Sequence, residues 1–330
     1  MTNNQLDILA IGDTVVDAFI KVEDAKIMND NGIERLAFEY GSKVPYKSVD
    51  ICNAVGNAPN AAVSAARLGL VSGLLAFVGD DQNGRDCLDE LHKNNVDTTF
   101  IKTDTTKSTK YHYVLWYDVD RTILINNVTF PYSLGDIGSP KWIYFSSVGG
   151  TSMGLYNELA AYLKTHSEIK LAFQPGTFDI QQGTTVLKDI YSLSNAVCVN
   201  VEESQKILGE TSRDLKVLLR GLAALGPQHV LITDGMAGAY AHDSAAPDDF
   251  YFMPIYPHTP YERTGAGDAF FSTVVSALCM GKTLAEALTW GPVNSMSVVQ
   301  QVGAQKGLLT LPQLEEYLGK APADYVLRKI

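Results

Sequence analysis

Short apolar runs alternate with stretches of helical spacing along most of the chain. Leu6–Gly12 reads as a buried strand ending in a turn. Asn57–Leu68 reads as a helix, because Ala61, Ala62, Ala65 and Leu68 fall on one face. Ser72–Val78 follows as a strand. Asn83–Lys93 is a second helix, with Cys87, Leu88 and Leu91 inward. Further buried strands are predicted at Trp142–Ser146, Lys170–Phe173, Ala196–Val199 and His229–Thr233. Helices are predicted between them at Leu155–Thr165, Val201–Leu208 and Leu215–Leu225, and another over Ala269–Met280. Such alternation predicts an α/β fold with a mostly parallel sheet covered on both faces.

Two regions break the rhythm. Ala18–Val22 and Ile33–Phe38 read as short extended segments around an Asn31-Gly32 turn. Lys110–Tyr117 and Thr122–Asn126 read as a hairpin with Asp118–Arg121 as its turn. Apolar and polar residues alternate here, which suits a sheet with one exposed face. The expectation is a small sheet projecting from the body. It either closes over a substrate, pairs with another subunit, or is a set of plain edge strands.

The 330 residues are 46% hydrophobic and 19% charged, which permits a large core. The net charge of −11, with no Lys/Arg-rich stretch, disfavours nucleic acid and anionic membrane as partners. Cys52, Cys87, Cys198 and Cys279 are scattered without a C-x-x-C, so reduced thiols are expected. No signal peptide or membrane helix is evident, and a cytoplasmic enzyme is the natural class.

The chemistry concentrates in Glu262-Arg263-Thr264-Gly265-Ala266-Gly267-Asp268. The Gly265-Ala266-Gly267 amides precede an apolar helical run, so they are expected at a helix N-terminus, where an anion is favoured. Asp268 beside them is a proton acceptor. A cradle plus a carboxylate is what phosphoryl transfer to an alcohol requires. The bland alternative is that Asp268 merely caps the helix. Two other nucleotide motifs are missing. Gly281-Lys282-Thr283 resembles the end of a P-loop, but Ser276 stands where its first glycine belongs, and a helix precedes it. Gly12 is followed by Asp13 and Thr14, so there is no dinucleotide fingerprint after the first strand.

Over nearly its whole length the chain resembles the ribokinase (PfkB) family of carbohydrate kinases. The matching pieces, in order, are IGDTVVD (Ile11–Asp17), VGNAPNAAVSAARLG (Val55–Gly69), FVGDDQNG (Phe77–Gly84), NNVDT (Asn94–Thr98), NVEE (Asn200–Glu203), TDGMAG (Thr233–Gly238) and ERTGAGDAF. Asn294 and Gly303-Ala304 complete the set. The resemblance implies a three-layer α/β/α sandwich, read as one domain over 1–330. Insertions at about 18–50 and 108–128 would form the lid.

It also implies roles. Asp268 would be the base, and Gly265, Ala266 and Gly267 the anion hole. Asp17, Gly56, Asn57 and Asn60 would bind substrate, with Arg121 reaching in from the lid. Asn200, Glu203, Thr233, Gly235, Gly238, Arg263 and Asn294 would serve the nucleotide, with Glu203 toward the metal. ATP and Mg²⁺ are the implied cofactors. A K⁺ requirement stays open, because Glu262 stands where an aspartate helps form a monovalent-cation site in some members. Arg263 next to it would contact phosphate or pair with Glu262. Val55 replaces the first glycine of the early signature. The lysine of sugar-phosphate kinases is absent, since Asn57-Ala58-Pro59 occupies that stretch. The expected activity is phosphorylation of a hydroxymethyl group on a small sugar. A nucleoside kinase, with lid aromatics Tyr111, Tyr113 and Trp116 stacking on a base, is the nearest alternative. A catalytically silent sugar- or nucleotide-binding member is another. A homodimer through the lid sheets is expected.

Overall fold

The computed structural model describes residues 5–118, 120–150 and 152–330. Its first elements are β1 (Ile8–Ile11), β2 (Val15–Val22), β3 (Lys26–Asp30), β4 (Ile33–Ala37), β5 (Tyr46–Val55), α1 (Asn57–Arg67), β6 (Ser72–Leu75), β7 (Phe77–Gly79) and α2 (Gln82–Lys93). Next come β8 (Lys102–Asp104), β9 (Lys110–Tyr117), β10 (Asp120–Leu124), β11 (Trp142–Ser146), α3 (Met153–Thr165), β12 (Lys170–Gln174), α4 (Thr177–Gln182), α5 (Lys188–Leu193) and β13 (Ser194–Asn200). The last are α6 (Val201–Leu208), α7 (Leu215–Ala223), β14 (His229–Thr233), β15 (Ala239–Asp243), β16 (Phe250–Met253), α8 (Ala266–Cys279), α9 (Leu284–Val298), α10 (Leu311–Gly319) and β17 (Arg328–Lys329).

The main sheet has the order β17-β16-β15-β14-β13-β12-β11-β1-β6. From β14 to β6 every pairing is parallel. The β15–β17 edge is antiparallel and was not legible in the sequence. Alternation along the strands divides the core in two. Ala10, Tyr144, Ala172, Ala196 and Leu231 point to the layer of α1, α8 and α9. Leu9, Phe145, Phe173, Val197 and Ile232 point to the layer of α3, α5 and α7. Several alanines on the first face leave room for the buried helix α8 to lie close to the sheet.

The expected strand Ser72–Val78 divides at Ala76. β6 stays in the main sheet, while β7 leaves it to pair with β8. The Ala76 carbonyl accepts the Lys102 amide (2.9 Å), which draws the chain across. Thr283 accepts the Glu286 amide and caps α9, so Gly281-Lys282-Thr283 is the helix-to-helix turn that its position suggests.

A second sheet has the order β10-β9-β2-β5. The Asn31-Gly32 turn is formed, with φ of 53° and 86° as a two-residue hairpin demands, but it joins β3 to β4. Ala18–Val22 is not its partner. Ala18, Phe19 and Val22 are all buried, so this stretch takes the centre of the second sheet, between β9 and β5. The β9–β10 hairpin pairs Tyr117 with Asp120, and Val119 of its expected turn lies outside the described residues. Asp17, Phe19, Lys21, His112, Val114 and Trp116 share one face of this sheet. Val49, Ile51, Tyr113 and Leu124 are exposed on the opposite one, where the sequence led us to expect a second copy. No helix among the described residues is long and apolar enough to cross a membrane.

Asp81 ties the start of α2 to the strand β9 of the second sheet. It caps α2 by accepting the Gly84 amide (2.8 Å), and it also accepts the Thr109 hydroxyl (2.7 Å) and amide (2.8 Å) just before β9. Burial pushes its carboxyl up, but the Thr109 and Gly84 donors outweigh this and hold it below its usual value. Asp81→Ala is expected to lower unfolding free energy in urea by about 1–2 kcal/mol at neutral pH. A carboxyl depressed in the folded state stabilises above its unfolded value and loses that contribution as pH falls through the folded one. The gap between variant and native chain should therefore close below about pH 4.

Candidate active site

Gly265 begins α8 in the left-handed region, at φ 79°. A Cβ there would lie 2.7 Å from the Ala304 Cα, so the position is closed to other residues on steric and conformational grounds. The helix therefore starts at Ala266, three residues before the apolar run that marks it in the sequence. The Ala269 amide bonds the Gly265 carbonyl (2.8 Å), and the Ala266 amide reaches Arg263 only at 3.4 Å. Among the described residues the Gly267 and Asp268 amides have no backbone partner. Unspent donors at the positive end of a long helix suit an anion.

Asp268 does not spend its carboxylate on its own helix. Oδ1 accepts Asn57 Nδ2 (3.0 Å) and Gln174 Nε2 (2.9 Å), and Oδ2 accepts Asn60 Nδ2 (2.8 Å). The amides are themselves oriented. Asn60 Oδ1 accepts Gln305 Nε2 (3.0 Å), which also donates to the Ala54 carbonyl, and Gln174 Oε1 accepts the Tyr144 hydroxyl. Burial raises the Asp268 carboxyl above its ordinary value, with the Asn60 and Gln174 donors pulling the other way. The result is a carboxyl group of raised basicity beside unspent amides.

An open cleft with 810 Å³ of empty space adjoins this point. Ala266, Gly267 and Arg263 form one end, Thr233, Gly235 and Gly238 one wall, and Met236, His258 and Pro292 the rest of a mostly apolar lining. Such a lining suits a flat heterocycle with phosphates directed at the helix terminus. Asn294 does not line it. Asn294 is instead fully buried, donates to Thr273 Oγ1 (2.8 Å) and accepts the Leu309 amide (2.9 Å), so it ties α8, α9 and the following loop together.

Asn200 and Glu203 form a reciprocal capping box on α6, at 2.8 and 2.9 Å. Burial raises the Glu203 carboxyl, and the charge of Asp268 contributes, so the two acids share one electrostatic neighbourhood. No cluster of three candidate ligands exists among the described residues. A lone carboxylate such as Glu203 can accept from the water shell of a hard cation whose other donors come from phosphate.

On the other side, Gly56 precedes α1 as its cap, so α1 presents Asn57 and Asn60 to Asp268 from its first turn. Asp17 stands on β2 opposite Cys52 and His112. Its Oδ1 is buried, lies 3.4 Å from His112 Nδ1, and makes no hydrogen bond. Burial pushes the Cys52 thiol up to about 11, with the nearby carboxylates of Asp17, Asp50 and Glu262 adding to it. Sequence reasoning missed a neighbouring network. Asp13 Oδ2 accepts Lys110 Nζ (2.5 Å) and the Gly149 amide (2.9 Å), and Oδ1 accepts the Tyr132 hydroxyl (2.6 Å). Only its place after the first strand hinted at it.

The partner of Glu262 is not Arg263. Arg263 is exposed in the cleft, and no side chain among the described residues bonds it. Glu262 Oε1 instead accepts the Thr264 amide (2.8 Å) and hydroxyl (2.6 Å), and Arg121 Nη1 approaches it to 3.9 Å. Arg121, expected at substrate, thus meets the loop that enters the cradle.

The chain is similar to known proteins over most of its length. The model of the pfkB family carbohydrate kinase matches residues 7–311. A ribokinase of Bacillus subtilis (strain 168) is 27% identical over 271 residues, covering 80% of this chain and 87% of that protein. A 5-dehydro-2-deoxygluconokinase of Halalkalibacterium halodurans is 22% identical over 345 residues, covering 97% and 96%. Among solved structures, Arabidopsis thaliana ribokinase complexed with ribose and ATP superposes with a TM-score of 0.79 at 18% identity, covering 95% of this chain and 99% of that one. A nucleoside kinase of Methanocaldococcus jannaschii gives 0.74 at 17%, covering 96% and 99%. The match over 7–311 places this chain in the pfkB family of carbohydrate kinases.

Proposed function

We propose that this chain transfers the γ-phosphoryl group of ATP to a primary hydroxyl of a small, unphosphorylated sugar. One observation carries the reading: Asp268 sits in the first turn of α8, where the Gly267 and Asp268 amides are unspent and Ala266 and Gly267 line the open cleft. ATP lies along the cleft with its γ-phosphate toward Gly265, Ala266 and Gly267. Mg²⁺, when bound, would neutralise phosphate charge, and Glu203 would accept hydrogen bonds from its water shell. Asp268 takes the proton from the acceptor hydroxyl as that oxygen attacks in line, and the amides stabilise the charge of the transition state.

The acceptor side favours hydroxyls. Asp17 offers a buried, unmatched carboxylate oxygen, which calls for donors rather than for an anion. Lys110, on β9 beside β2, is already committed to Asp13 and Tyr132. A nucleoside is less well served, since Trp116 is spent against Tyr261 and Lys21. The names of the relatives point the same way, with ribose and a keto-deoxy sugar acid as acceptors to try first.

Asp268→Ala is expected to lower kcat by roughly 10²- to 10⁴-fold with the melting transition kept, read by ADP release under saturating substrates. Near-normal turnover in that variant would remove Asp268 from the role of base. Gln174→Leu deletes one donor to the charged carboxylate, so the Asp268 carboxyl rises further. The acid limb of its kcat/KM profile should then move to higher pH relative to the native chain, while the plateau above it is largely kept. An unmoved limb would mean that another group sets it.

A further inference from the structure

Two buried groups of opposite kind are left unmatched within one ion pair. Arg121 Nη1, on β10, lies 3.9 Å from Glu262 Oε1. That oxygen already accepts two hydrogen bonds from Thr264. Among the described residues Glu262 Oε2 is buried without a partner, and so is Arg121 Nε. Glu262 is only 3% exposed. Orphans of this kind are rare in native interiors. Here each is the natural complement of the other, since a guanidinium fork grips a carboxylate at two points about 2.7–2.9 Å long. The side chains stand about 1 Å short of that grip.

The same two parts of the molecule meet again nearby. Trp116 on β9 packs edge-on against Tyr261, with centroids 5.2 Å apart. Lys21 Nζ on β2 lies 4.1 Å over the Trp116 ring and 5.6 Å over the Tyr261 ring. The Tyr261 and Glu262 amides both bond the Val299 carbonyl, at 2.7 and 3.0 Å. This short segment is therefore the joint between the second sheet and the cradle that starts at Gly265.

We propose that Arg121 is a lid-borne positioning residue for the anion cradle. A small approach of β10 closes the guanidinium on both Glu262 oxygens. Glu262 in turn holds the Thr264 amide and hydroxyl, and Thr264 leads into Gly265. Docking of the lid is thereby transmitted to the amides that face phosphate. The catalytic readout of this proposal rests on the kinase reading above; its structural readout does not.

The test combines turnover with hydrogen exchange of the segment 256–267, in the native chain, Arg121→Ala, Arg121→Lys, Glu262→Gln and the Arg121→Ala/Glu262→Gln double variant. Arg121→Ala should exchange faster over this segment and lose kcat by roughly 10- to 100-fold, the rate equivalent of one charge-assisted hydrogen bond. Guanidinium ion at sub-denaturing concentration should restore part of both, and Arg121→Lys should fall between. Glu262→Gln should show the same losses without rescue, and the double variant should be little worse than Glu262→Gln alone. Unchanged exchange in Arg121→Ala would overturn the proposal whatever happens to turnover, because a residue acting only on substrate loosens nothing in the loop. Full additivity in the double variant would overturn it as well. Should the native chain phosphorylate no acceptor, the kinase reading fails, and the exchange result still decides this one.

Discussion

A carboxylate partly withdrawn from water must be compensated, and the way Asp268 is compensated organises the centre of this molecule. A salt bridge would hold it ionised but poor in basicity. Three neutral amide donors, Asn57, Asn60 and Gln174, solvate the charge without cancelling it. Burial then leaves the carboxyl above its ordinary value. The arrangement requires α1, β12 and α8 to converge within hydrogen-bond reach. It also requires each amide to present nitrogen rather than oxygen, which Gln305 and Tyr144 settle by occupying the oxygens of Asn60 and Gln174. Arg67 extends the chain of support outward, donating to the Gln305 and Leu308 carbonyls at 2.7 and 2.9 Å.

The surrounding architecture serves that convergence. Alanines on one face of the central strands let α8 approach the sheet, and Gly265 brings the start of the helix against Ala304. Its unspent amides and Asp268 consequently project at one edge, between the apolar cleft and the polar pocket of α1 and β2. The second sheet is fastened to this edge at both ends, by Asp81 to Thr109 near its base and by Trp116, Lys21 and Arg121 near the cradle.

The parallel half of the sheet was legible because its strands are buried on both faces and read as continuous apolar runs. β11 and β14 begin and end where the sequence suggests. β5 and β15 carry mixed residues and gave no such signal, while β16 is a run of only four apolar residues that the sequence reading passed over. The Asn31-Gly32 turn announced itself through its backbone requirement, but not which strands it joins, since pairing is a long-range matter of burial. In the site, the glycine motif and its acid could be read locally. Gln174, Gln305 and the Asp13–Lys110–Tyr132 network could not, because each acts across more than 90 residues of chain. Asn294 shows the converse: a polar residue in a helix whose partners lie inside the protein rather than on a ligand.

The most direct test of the central claim is phosphorus NMR of the purified chain with Mg-ATP and single free sugars, ribose and a keto-deoxy sugar acid first. The account predicts that one acceptor gains a phosphomonoester on a primary hydroxyl, with ADP formed in equal amount. ATP bound in the cleft while every acceptor stays unmodified, or inorganic phosphate as the sole product, would contradict it.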